Sequence, residues 1–140
     1  MAGLARHARP GWALLLDLDR FKQINDQLGH ETGDAVLQWL AECMHRVLPP
    51  RALMARQGGD EFLVLLPAYL HAAQVQAQVD LLLGRFQEGL QERWPAAAEV
   101  AGLSAGFAPM GDSLSDSVRR ADAAMYSAKQ SRRGRAVEGA

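Results

Sequence analysis

The feature that most constrains this chain is a short run from Trp12 to Leu18, apolar through its middle and closed by the carboxylates of Asp17 and Asp19. The run is too short for a helix and suits a strand covered on both faces, so it predicts a central β-strand. Side chains two apart on a strand share a face, so both carboxylates leave the sheet in the same direction. A carboxylate closing a buried strand is costly unless it is paired or metal-bound, which makes Asp17 a candidate functional residue. Asp19, taken alone, reads as the N-cap of a helix over Arg20 to Leu28.

After a loop from Gly29 to Gly33, Asp34 is expected to cap a second amphipathic helix with Val36, Leu37, Leu40, Met44 and Val47 on one face, stopped by Pro49-Pro50. Two apolar segments, Ala52 to Gln57 and Glu61 to Leu66, flank Gly58-Gly59 and predict a β-hairpin with a primed turn. Leu70 to Arg93 is helical in pattern and Pro95 is expected to end it. Val100 to Phe107 reads as a strand with soft spots at Ser104 and Gly106. A last helix follows from caps within Asp112 to Ser117 through Gln130, and Arg135 to Val137 is a candidate edge strand. The order β-α-α-β-β-α-β-α with hairpin-paired strands predicts an α+β fold, a palm-like mixed or antiparallel central sheet flanked by helices.

The chain's 140 residues and 49% hydrophobic content fit one compact domain. Its net charge of -1 gives no global field for nucleic acid or membrane. Charge is uneven, however: from Arg119 to Arg135 six basic residues face only Asp122. Lone Cys43 cannot form an internal disulfide, so a reducing, cytoplasmic setting is expected, and neither a signal peptide nor a membrane-spanning run is visible.

Phosphate-loop, dinucleotide, zinc-protease and serine-hydrolase motifs are absent. What remains is acidic. Asp17-Leu18-Asp19 ends one strand and Gly58-Gly59-Asp60-Glu61 forms a tight turn whose glycines let a ligand approach the backbone. Two acidic tips on neighbouring strands make a cradle for Mg²⁺, which is held by one or two carboxylates plus substrate phosphates. Taken singly, Asp60 and Glu61 read better as ordinary hairpin-tip residues on a solvated face.

Four blocks in order now bear on family. They are Asp17-Leu18-Asp19-Arg20-Phe21-Lys22-Gln23-Ile24-Asn25-Asp26 with Leu28-Gly29-His30 and Gly33-Asp34; Arg56-Gln57-Gly58-Gly59-Asp60-Glu61-Phe62; Leu103-Ser104-Ala105-Gly106; and Arg120-Ala121-Asp122-Ala123-Ala124-Met125-Tyr126-Ser127-Ala128-Lys129. Together they strongly resemble the GGDEF domain of diguanylate cyclases, related to nucleotidyl cyclase catalytic domains.

The resemblance implies that two GTP molecules are joined into cyclic di-GMP with loss of pyrophosphate, by a homodimer carrying one GTP per subunit and using Mg²⁺ or Mn²⁺. It implies Asp17, Asp60 and the Leu18 carbonyl as metal ligands, and Asp60 or Glu61 as acceptor of the 3′-hydroxyl proton, with Asp60 first. Lys22 is implied to stabilise transition-state charge, and Lys129 and Arg133 to reach phosphates. Asn25 and Asp34 would read the guanine edge, the carboxylate accepting from N1–H and N2–H₂. His30 would lie near ribose or phosphate, and Phe21, Gly58 and Gly59 would line the substrate. Without the family, Asp34 is a helix cap, Asn25 and His30 are surface residues, and both lysines are solvated.

Departures from the family pattern are equally specific. Nothing before Trp12 matches the family's D-x-L-T-G-L-x-N-R helix, so the expectation is a domain from a longer protein or a short member, with a fused or partner sensory domain. The tail Ser131-Arg132-Arg133-Gly134-Arg135 leaves the phosphate-contacting arginine open, and Gln57 stands where an aromatic is usual. The family's R-x-x-D product site falls on Pro49 and Ala52, so that inhibitory grip is expected to be missing. The alternative function is a non-catalytic module binding GTP or a protein partner in cyclic di-GMP signalling.

Overall fold

A computed structural model describes residues 10–131 and 137–138. Its strands are β1 (Pro10–Asp19), β2 (Leu53–Arg56), β3 (Glu61–Pro67), β4 (Gly102–Pro109) and β5 (Val137–Glu138); its helices are α1 (Phe21–Leu28), α2 (His30–Val47), α3 (Ala72–Arg93), α4 (Pro95–Val100) and α5 (Leu114–Gln130). The strands form one sheet in the order β2-β3-β1-β4-β5. β1 runs down the middle, antiparallel to β3 and to β4, while β2 is antiparallel to β3 and β5 parallel to β4. The expected α+β palm with a mixed sheet is what forms.

The two-sided burial read from the Trp12 to Leu18 run divides by parity. Leu14, Leu16 and Leu18 join Phe62, Val64, Leu66, Leu103 and Phe107 in a core shared with α1, α2 and α3. Ala13 and Leu15 face the other way, with Leu63 and Ala108, onto Ala121 and Met125 of α5. The pairs α1–α2 and α3–α4 each carry the chain over the same face, and each returns it parallel to the strand it left with one strand in between. This is the split β-α-β arrangement, and it leaves α5 alone on the opposite face.

Local chemistry departs from the sequence expectations at four places. Asp19 does not cap α1: it belongs to β1, and Arg20 takes the capping position in a left-handed conformation, φ 59°. Asp34 does not cap α2, because that helix starts at His30 on Gly29, whose φ of 93° suits glycine. The glycines of the hairpin do not form a primed turn, since neither has positive φ; residues 57–60 make a longer connection, with the Gln57 amide bonded to the Glu61 carbonyl at 2.7 Å. Pro95 ends α3 but also opens α4, a favourable first position for proline, so β4 begins at Gly102 rather than Val100.

Candidate active site

Parity on β1 aims the acids. Asp17 and Asp19 continue the row of Ala13 and Leu15, so both emerge on the α5 side, just where the inner stripe of α5 passes from Ala121 and Met125 to Lys129. The Lys129 ammonium donates to Asp17 Oδ2 and lies 3.6 Å from Asp19 Oδ1. Ser104 of β4 is the direct cross-strand partner of Asp17, and its buried hydroxyl donates to Asp19 Oδ2 at 2.6 Å. A short bond to a charged acceptor is the strong kind, so Asp19 is held in one orientation.

The turn before β3 is tied to the same strand end, because the Leu18 amide donates to the Asp60 carbonyl at 2.9 Å. In an antiparallel pair a residue's N–H and C=O point to the same side, so the Leu18 carbonyl also faces this turn. Arg56 braces the turn from behind: its Nε donates to the Gly58 carbonyl at 3.0 Å and its Nη2 to the Gly59 carbonyl at 2.6 Å. A side-chain carbon at either glycine would meet no heavy atom within 4 Å. Neither backbone dihedral nor internal crowding demands glycine here.

These elements border a cleft of about 730 Å³, lined among others by Asp17, Leu18, Asp19, Asp60, Ser104 and Lys129, and continuing to Gln87 and Glu99. That volume is in the range of small-molecule sites. Burial, together with the charges of Asp60 and Asp19, raises the Asp17 carboxyl above its ordinary value, against the pull of the Lys129 bond. Burial would lower Lys129, but the Asp17 bond and the charges of both aspartates outweigh it and the ammonium is raised. The two rises have different causes: burial dominates at Asp17, whereas the neighbouring carboxylates of Asp17 and Asp19 hold the proton on Lys129.

The residues singled out from the sequence therefore separate into groups. Asp17, Leu18, Asp60 and Lys129 meet in the cleft. Glu61 does not line it: directly opposite Asp17 on β3, it faces α5, where burial and the charges of Asp17, Asp122 and Asp60 raise its carboxyl. Gly58 and Gly59 are exposed on the tip. Phe21, Lys22, Asn25, His30 and Asp34 sit apart on α1 and α2. Phe21 is buried in the core and Lys22 pairs with Asp26 at 3.0 Å on the surface. Asn25 packs over the first turns of α2 with its Oδ1 buried and without a partner, filling the space a side chain on Gly33 would take. His30 and Asp34 are exposed on α2. Arg133 lies outside the described residues.

Sequence reasoning missed Ser104, the role of Asp19 and the brace from Arg56. The one legible sign was Ser104 itself, a polar residue inside an otherwise apolar strand.

The donor set of the cleft fits a hard divalent cation. Its ligating groups are carboxylate and carbonyl oxygens, with neither thiol nor imidazole among the lining side chains, and an ammonium already rests on Asp17. Among the described residues no three His, Cys, Asp or Glu side chains cluster closely enough to hold a metal alone. Mg²⁺ needs no such cage, because it keeps waters and takes substrate phosphates as ligands.

A central strand ending in paired acids beside a glycine-rich turn defines an α+β palm domain with an acidic cleft at the end of its central strand. The chain belongs to the family described as diguanylate cyclase, GGDEF domain, which it matches over residues 2–135. It is 36% identical over 124 residues to diguanylate cyclase TpbB of Pseudomonas aeruginosa, covering 86% of this chain and 28% of that protein. It is 32% identical over 117 residues to signaling protein YkoW of Bacillus subtilis, covering 82% of this chain and 15% of that protein. The active GGEEF domain of a diguanylate cyclase from Vibrio cholerae superposes with a TM-score of 0.80 at 30% identity, covering 99% of this chain and 88% of that one. The chain spans only a small part of the curated relatives' length.

Proposed function

We propose that this domain condenses two GTP into cyclic di-GMP and two pyrophosphates, with Mg²⁺ or Mn²⁺, when two copies face each other with one GTP on each. The observation that carries this reading is the convergence of Asp17, Asp60 and Lys129 on one cleft at the end of the central strand.

In each half-reaction the 3′-oxygen of one GTP forms a bond to the α-phosphorus of the other, the bond from that phosphorus to the bridging oxygen breaks, and pyrophosphate leaves. A divalent cation held by Asp17, Asp60 and the Leu18 carbonyl would polarise the α-phosphate and acidify the 3′-hydroxyl. Asp60 lines the cleft and accepts the 3′-hydroxyl proton in this reading, with Glu61 behind it as second choice. Lys129, Lys22 and Arg133 neutralise phosphate charge, which grows on the leaving group. Asp34 accepts from guanine N1–H and N2–H₂ and the Asn25 amide donates to the base, while His30 and Phe21 border the nucleotide. Gly58 and Gly59 leave the turn open to the phosphates. Residues of about 12–137 make up this one domain, and signal input comes from a fused or partner sensory domain. Pro49 and Ala52, joined in a turn by the Ala52 amide and the Pro49 carbonyl at 3.0 Å, offer neither half of an arginine–aspartate grip on the product.

The test is chromatography of nucleotides after GTP and Mg²⁺ are incubated with the domain fused to a dimerising partner. Cyclic di-GMP is the expected product, and Asp60→Asn should abolish it while GTP binding persists. GTP binding without any product in the parent would replace this reading with that of a non-catalytic signalling module.

A further inference from the structure

The carboxylate best suited to a divalent cation is already taken by a cation of the protein itself. Lys129 Nζ donates to Asp17 Oδ2, and its second acidic neighbour, Asp19 Oδ1, waits at 3.6 Å, within ion-pair reach but beyond a good hydrogen bond. Asp19 cannot turn away. Its Oδ2 is held at 2.6 Å by the hydroxyl of Ser104, a residue only 1% exposed, so the bond is shielded from exchange with water. The free oxygen of Asp19 is thereby kept facing Lys129. Neighbouring residues on β4 are Leu103, Ala105, Gly106 and Phe107, so the serine hydroxyl serves no partner in its own strand.

We propose that Lys129 occupies the Asp17 seat until a divalent cation arrives, and that Asp19, locked by Ser104, is the second seat to which the ammonium then moves. The proposal rests on the reading of Asp17 as a metal ligand. It makes Ser104 a positioning residue: the hydroxyl touches neither metal nor substrate, yet it sets how readily the metal displaces the ammonium. Only ionic contacts are exchanged, and no proton or covalent bond moves. Without a fixed second seat the ammonium holds Asp17 more firmly and competes harder with the metal.

Mn²⁺ binding to the nucleotide-free protein, read as loss of the free-ion electron paramagnetic resonance signal, tests this without recourse to activity. Asp17→Asn should weaken Mn²⁺ binding at least about tenfold; if it does not, the metal-ligand reading itself fails. Given that loss, Lys129→Met should tighten binding about three- to tenfold, as expected when a partly exposed ionic competitor is removed. Ser104→Ala changes no charge and should weaken Mn²⁺ binding about two- to fivefold in the parent but not at all in the Lys129→Met background. Melting curves of each variant verify that it is folded at the assay temperature. An unchanged affinity in Lys129→Met, or an equal effect of Ser104→Ala in both backgrounds, would overturn the proposal, the latter reducing Ser104 to a structural residue.

Discussion

Gly106 and Met125 lie so close that a side-chain carbon on the glycine would come within 2.2 Å of the Met125 amide nitrogen and 2.3 Å of the Ala121 carbonyl oxygen. The backbone of α5 thus rests directly on β4, and the position of Lys129 four residues on is set by that contact. Gly106→Ala has no flexible atom to displace and must lift the helix. It is expected to destabilise the fold by about 1–3 kcal/mol, in the range of overpacked cores, measured by denaturant unfolding. Parent-like stability would mean that α5 has freedom the packing denies it.

Asn25 and Asp34 test the nucleotide reading away from the cleft. Each hydrogen bond to a charged or buried group contributes about 1.5–3 kcal/mol, so Asn25→Ala or Asp34→Ala should weaken GTP about ten- to a hundredfold and relax discrimination against ATP. Calorimetry with both nucleotides checks it. Because Asp34 is exposed within α2 and caps nothing, unchanged affinity in Asp34→Ala would leave it a surface residue.

Glu61 gives a pH dependence of known sign. Burial and the charges of Asp17, Asp122 and Asp60 hold its folded carboxyl above the ordinary value. Ionisation therefore costs stability above that raised value, and the cost vanishes as pH falls below the unfolded one. Glu61→Gln should raise the melting temperature by about 2 °C near neutral pH, and the gain should fade toward about pH 4. A gain that grew on acidification would contradict the assigned repulsion.

Cys43 is 2% exposed on α2, and burial raises its thiol to about 11. Thiolate is then scarce at neutral pH. Its reaction with a disulfide reagent should run at least about 100-fold slower in the native protein than in denaturant, where burial is lost. Comparable rates would show that α2 opens readily.

The acidic end of the central strand was legible in the sequence because it depends on a period of two along one segment: Trp12 to Leu18 reads as a strand, and parity puts Asp17 and Asp19 on one side. Apart from α4, the order of the main elements and the α+β class followed from similar local patterns, whereas the four blocks were legible only as a family resemblance. Local patterns misjudged Asp19 and Asp34 as helix caps, since a cap depends on where the backbone leaves the strand or turns at Gly29, and that is set by packing. They missed α4 for the same reason, reading Pro95 only as a stop. Only the tertiary structure decided that Ser104 meets Asp19 across 85 positions of chain and that Lys129 meets Asp17 across 112. Those contacts depend on strand register and on how closely α5 sits over Gly106, relations between distant segments that no local period encodes.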